Sequence, residues 1–225
     1  MVEIARESVR FSRDHLKNIT QKADGQKARI NLINEFSDIF VRILLMCALG
    51  EDISQKQVDY WQNGKLQKQS VSFVLRETFA KLIERMALPS VFFFPIFNNL
   101  FLTPHERDLK ANATTLRTLI QSIVTRRRQE IAKDPSLKEA GDFLTILLTE
   151  DFFMNDNERI IDECFTFFFA GSQTSAVTTQ NLIIALMKHP EYQEMLLKEF
   201  EDELIKPHFK ELIEKGDIKP VEGMT

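Results

Sequence analysis

Two side-chain-poor residues, Ala170 and Gly171, are followed three positions later by an alcohol, Thr174, inside a stretch otherwise suited to a helix. Gly171 in a helix interior costs about 1 kcal/mol relative to alanine. Thr174, Ser175, Thr178 and Thr179 then crowd four hydroxyls into six positions. Each is a mediocre helix former that can bond back to a carbonyl one turn earlier and bend the axis. At roughly 100° per residue, Phe167, Ala170, Gly171, Thr174 and Thr178 share one face. That face runs from large to very small to hydroxylated. Two readings stand side by side. The small pair can let another helix approach closely, with the threonines as satisfied core. Alternatively, it can let a flat ligand lie against the backbone with Thr174 beside its centre. Residue chemistry alone leaves both open.

The elements that would position this face are helical. Gly and Pro number 7 each in 225 residues, and the periodic runs between them are long. We expect a first helix to about residue 24 and a second over Ile30–Leu49, stopped by Gly50. A third is expected from about Asp59 to Met86, broken at Leu88-Pro89 because the residue before proline resists the helical region. Residues 91–102 are apolar without a clean period and read as a connection. Thr103-Pro104 opens the next helix with a cap and a proline in the first turn. That helix reaches Arg128 and frays by Asp134-Pro135. Residues 142–148 form a shorter one. The longest signal covers about 155–189, capped by Asn155 with Glu158 completing a capping box. Pro190 begins another helix. No internal repeat is visible, and no segment reads as a strand.

Composition removes several functions. The net charge is -4 with acids and bases interspersed, which gives no general attraction to nucleic acid or anionic lipid. No run approaches the roughly 18 apolar residues that a spanning helix needs. The first residues are charged from Glu3 onward, unlike a signal peptide or anchor. Cys47 and Cys164 sit far apart in apolar helical surroundings, so reduced core thiols are expected. The histidines at 15, 105, 189 and 208 lack metal-ligand spacing, and there is no phosphate-cradling glycine loop. We therefore expect no metal ligands in this chain. The run Arg126-Arg127-Arg128 reads as a solvated helix end near the C-terminal dipole.

Ala170-Gly171-x-x-Thr174, after Asp162-Glu163 and a Phe-rich turn, resembles the I-helix signature of the cytochromes P-450. Leu186-Met187-Lys188-His189-Pro190-Glu191 is similar to that family's His-Pro turn and J helix. Residues 142–148 resemble the short segment before the I helix, residues 105–133 the G helix, and Ala48-Leu49-Gly50-Glu51-Asp52-Ile53 the close of the E helix. The likeness runs in order through nearly the whole chain. It implies an all-α piece, the central helical portion of the cytochrome P-450 fold, with a long I-type helix at about 155–189. On this expectation residues 1–225 are a partial single domain, with the β-rich part and the haem-ligand loop missing.

The resemblance further implies a haem-dependent monooxygenase that inserts one oxygen atom of O2 into an apolar organic substrate, fed by an electron-donating reductase. Ala170, Gly171, Thr174, Ser175 and Thr178 would lie against the haem. Phe167 and Ala170 would face the substrate, and Thr174 would help deliver protons to bound oxygen. Gln173 stands where this family usually has a carboxylate. An amide can orient water but cannot give up and reload a proton. Waters reached from Glu163 are the expected substitute, which makes Thr174, Gln173 and Glu163 the catalytic candidates.

Neither cysteine lies in the glycine-rich Phe-x-x-Gly loop that carries the axial thiolate in this family, so the axial Cys ligand is absent and the chain alone is expected to be inactive. Full-length eukaryotic relatives usually reside at the endoplasmic reticulum membrane; membrane association here is an expectation only for a longer protein. A reading from a different class also stands: a non-catalytic helical protein that binds a partner through the apolar loop at 91–102.

Overall fold

The computed structural model describes residues 2–22, 31–93, 103–139, 141–153, 156–200 and 202. The chain separates into two compact units, Met1–Val177 and Thr178–Thr225, each treated by itself below.

In the first unit α1 covers Val2–Lys22 and α2 Leu32–Leu49. Asn31 caps α2, its side chain accepting from the Asn34 N–H. Gly50 stops it in the left-handed region at φ 70°, its N–H bonded to the Met46 carbonyl. A Cβ on Gly50 would also fall 3.0 Å from both the Arg127 guanidinium and the Asp142 carboxylate, so two independent constraints favour glycine.

The expected third helix is corrected. Residues 57–70 form an antiparallel hairpin, β1 (Gln57–Gln62) and β2 (Lys65–Ser70), and α3 runs only over Val71–Met86. The hairpin turns on Asn63 and Gly64, both at positive φ (53° and 71°), with Gln62 paired to Lys65. A two-residue Asn-Gly loop is a strong hairpin signal, because its twist matches that of the flanking strands. The pattern also had period two: Val58 and Tyr60 are buried while their neighbours are not. Ser70 then caps α3, accepting from the Phe73 N–H.

α4 is a short turn of helix at Pro89–Phe93. The rest of the apolar connection, 94–102, lies outside the described residues. α5 spans Pro104–Lys133 and opens on the full capping box of Thr103 and Glu106. A 3-10 turn at Pro135–Glu139 leads to α6, Phe143–Thr149, capped by Asp142.

The long helix α7 spans Asn157–Lys188. Asn155, the expected cap, lies outside the described residues; Asp156 does the capping, its carboxylate accepting from the Arg159 N–H at 3.0 Å. Residues 157–177 of α7 belong to the first unit. Its core gathers Leu45, Leu49, Tyr60, Val74, Leu75, Phe79, Leu116, Ile120, Val124, Leu144, Ile160, Ile161, Cys164 and Phe168.

Arg126-Arg127-Arg128 is corrected as well. The Arg127 side chain is 13% exposed and pairs with Asp142 at 2.8 Å. It donates to the Leu49 carbonyl at 2.8 Å and to Thr145 Oγ1 at 3.1 Å. Arg128 reaches Asn157 and Arg126 reaches Glu51. A run that looked like a solvated helix end instead fastens the end of α2, the start of α6 and the start of α7 to α5. The α2 end supplies an open carbonyl, and Arg127 is the donor that fills it.

The second unit contains the end of α7 and α8, Pro190–Glu199. Between them Gln193 Nε2 donates to the Leu186 carbonyl at 2.6 Å, and His189 Nδ1 lies 3.2 Å from Glu191. Among the described residues no helix is long and apolar enough to cross a membrane.

Candidate functional site

Two faces of α7 within the first unit have opposite character. Ile160, Ile161, Cys164, Phe168, Ser172 and Ala176 are buried. Spaced mostly four apart, they follow the stripe a helix buries against a core. Phe165 and Phe169, at its flank, meet the ring of Phe79 from α3 edge-on, with centroids 6.3 and 5.3 Å away. Arg117 of α5 holds the helix start by pairing with Glu158 and Asp162.

The other face carries the candidates. Glu163 and Phe167 are half-buried, and Ala170 and Thr174 are exposed. Their spacing of four, three and four residues places them in one strip. Thr174 Oγ1 donates back to the Ala170 carbonyl at 2.6 Å. This leaves the oxygen's lone pairs free to accept from a ligand or water, and it loosens the helix at that turn.

Gly171 lies at the edge of this strip, not in the open. A Cβ there would fall 3.0 Å from both methyl carbons of Leu44 on α2. The close approach of a second helix therefore accounts for Gly171, while Ala170 and Thr174 stay open. Gln173 and Ser175 are half-buried on either side of Thr174. Thr178 is exposed and belongs to the second unit.

Phe167 does not stand alone. Its ring stacks on Phe143 of α6 at 4.9 Å and 22°. Both line an open cleft of about 700 Å³ with Ile4, Met46, Cys47 and Ile146. Sequence reasoning missed Leu44, Phe143 and Arg127. For Leu44 and Phe143 no sequence signal exists, since each is one apolar residue among many. For Arg127, its position six residues ahead of a helix end was compatible with either solvent or an inward pair.

Whether this face fits a haem can be judged from its side chains. Ala170 offers only a methyl group and Thr174 a short polar one, so nothing bulky stands between Phe167 and Thr174 along the strip. One face of a flat ring fits there. An iron ligand is a separate matter. Cys164 is fully buried on the opposite face, and burial, with the Glu163 and Asp142 carboxylates adding to it, pushes its thiol up to about 12. Such a thiol stays protonated and is a poor ligand. Among the described residues no group of His, Cys, Asp and Glu could hold a metal ion.

Comparison with known proteins shows the family. The family model of cytochrome P450 matches residues 2–214. The chain is 30% identical over 151 residues to cytochrome P450 734A6 of Oryza sativa subsp. japonica, covering 61% of this chain and 26% of that protein. It is 33% identical over 150 residues to 11-hydroxysugiol 20-monooxygenase of Salvia miltiorrhiza, covering 64% and 28%. With cytokinin hydroxylase of Arabidopsis thaliana it shares 25% identity over 131 residues, covering 56% and 24%. This chain belongs to the cytochrome P450 family, a family of haem-dependent oxidoreductases. It spans about a quarter of the length of these curated relatives.

Proposed function

We propose that the protein containing this stretch is a haem-thiolate monooxygenase that inserts one atom of O2 into an apolar organic substrate, drawing electrons from a reductase. The observation that carries the proposal is the open strip of α7: small at Ala170, hydroxylated at Thr174, within a chain of cytochrome P450 descent.

Ala170 and Thr174 would lie against the haem, with Gly171 and Ser175 near it on the same helix. The haem, when bound, supplies the iron that activates dioxygen. We assign its thiolate to a part of the protein other than this stretch, because neither cysteine lies in the family's glycine-rich loop and burial keeps Cys164 protonated. Ala170 keeps the ring side of the helix flat. The Thr174 hydroxyl, turned back on the Ala170 carbonyl, accepts a hydrogen bond and passes a proton on to the oxygen site. Gln173 orients water there but cannot reload a proton. Glu163, three turns away at roughly 16 Å along the axis, reaches Thr174 only through a file of waters. Phe167, held flat by Phe143, presents an apolar surface to substrate.

The test uses the intact protein. Reduced and exposed to carbon monoxide, it should give the absorption band of a thiolate-ligated haem; its absence with haem supplied would overturn the reading. In the same protein Thr174→Ala should raise the share of reducing equivalents released as hydrogen peroxide. An unchanged share would remove Thr174 from proton delivery while leaving the haem assignment standing.

A further inference from the structure

The hairpin tip carries chemistry that the oxidoreductase reading does not use. Asn63 is followed by Gly64, the pair is exposed, and Gly64 has nothing within 4 Å of the position a Cβ would take. An asparagine followed by glycine can react with itself. The Gly64 nitrogen attacks Asn63 Cγ, the Cγ–Nδ2 bond breaks, and ammonia leaves. Hydroxide takes the proton from the Gly64 nitrogen, and water supplies the proton that ammonia carries off. Water then opens the five-membered imide at either carbonyl. The product is aspartate, or isoaspartate with one more carbon in the main chain. Only water is consumed. The reaction needs a nitrogen that can lose its proton and turn toward Cγ, and a glycine with no side chain in the way.

The Gly64 nitrogen is held. Its N–H donates to Asp108 Oδ2 at 3.1 Å, and Asp108 is 6% exposed on α5. Three residues back, the clip continues. The Trp61 N–H donates to Asn112 Oδ1 at 2.7 Å, and Asn112 Nδ2 donates to the Trp61 carbonyl at 2.9 Å. Asp108 restrains the reaction in two ways. Its hydrogen bond fixes the peptide plane and shields the proton that must leave. Its negative charge disfavours both the approach of hydroxide and the amide anion.

We propose that Asn63 is a site of spontaneous deamidation, restrained by the Asp108 carboxylate for as long as the hairpin is clipped to α5. The product weakens the Asp108 end of the clip. The new carboxylate sits one residue before the nitrogen that Asp108 holds, and it adds a second negative charge at that end of the hairpin. The isoaspartate form also lengthens a two-residue turn whose size sets the strand register. Modification at this one residue therefore loosens the tip of the hairpin from Asp108, while Trp61 stays on Asn112.

The experiment follows residue 63 by peptide-resolved mass spectrometry in the intact protein, aged at mildly alkaline pH, with released ammonia measured in parallel. Residue resolution is required because Asp24-Gly25 can also form isoaspartate. Asp108→Asn keeps the shape and an acceptor but removes the charge, whereas Asp108→Ala removes both. Conversion at residue 63 should be slow in the native sequence, several-fold faster in Asp108→Asn, and faster again in Asp108→Ala. Gly64→Ala should slow it in every background. Equal rates in the three residue-108 forms would overturn the restraint. An intact Asn63 amide in all of them, with conversion in urea, would overturn the site in the folded protein.

Discussion

Gly171 and Leu44 meet so closely that each determines what the other may be. Replacing Gly171 by alanine gains roughly 1 kcal/mol of helix propensity. It also drives a methyl into the two Leu44 methyls, and overpacking of this kind costs about 1–3 kcal/mol. We expect Gly171→Ala to be destabilising beside Leu44 and stabilising by roughly 1 kcal/mol in a Leu44→Ala background. Denaturant midpoints of the four proteins in that cycle decide it, and strict additivity would show that the contact is not tight. Cys164 makes a second prediction at the same scale. Burial leads in holding its folded pKa above that of a free thiol, at about 12 against 9.0. Below pH 9 the protonated thiol costs nothing in either state. Between about 9 and 12 the unfolded chain ionises and the folded one does not, so stability falls as pH rises. The slope from one proton is at most about 1.4 kcal/mol per pH unit. Cys164→Ala should lose that part of the slope while remaining less stable at neutral pH. A slope unchanged by the substitution would mean that the thiol is accessible in the folded state.

Among the elements, α5 carries more of the architecture than its polar sequence suggested. Arg127 satisfies the Leu49 carbonyl and neutralises Asp142, whose side chain is 9% exposed. Arg127→Ala strands that carboxylate and should cost about 3–5 kcal/mol, the range for breaking a buried pair. Arg126 is half exposed, and its loss should stay within about 1 kcal/mol. Thermal unfolding of the two variants separates a fastener from a surface pair, and equal losses would refute the distinction. Helix ends were legible wherever a residue announced its own backbone geometry: Thr103-Pro104, Asp142, Gly50 and Pro190. The hairpin was missed although its signals were present. Lys65, Gln67 and Lys68 suit a solvated helix as well as a solvated strand, so a long helix absorbed them. The two-residue loop and the buried alternation of Val58 and Tyr60 were the better guides. Partners distant in sequence, such as Arg127 with Leu49, are invisible until the chain is folded.

For the whole molecule, the face of α7 was legible as a chemical pattern but divided in its use. Ala170 and Thr174 stay open, as a flat ligand would need, while Gly171 serves helix packing. The helix-packing reading holds at Gly171, where Leu44 closes in, and the flat-ligand reading at Ala170 and Thr174 is the one proposed above. Burial depends on what lies opposite each residue, and a single helix cannot state that. This stretch alone, supplied with haem and carbon monoxide under reducing conditions, should give no thiolate band, in contrast with the intact protein. Appearance of that band would mean that Cys47 or Cys164 can ligate iron after all, and the assignment of the thiolate to another part of the protein would fail.

Trp61 is the one tryptophan in the sequence, and its backbone is fastened to Asn112. The chain's indole fluorescence therefore reports from the β1–β2 ribbon, well away in sequence from α7. An emission change on warming or with denaturant marks the moment the ribbon lifts from α5, and can precede loss of the core. Agreement between that signal and circular dichroism would show that ribbon and core melt as one.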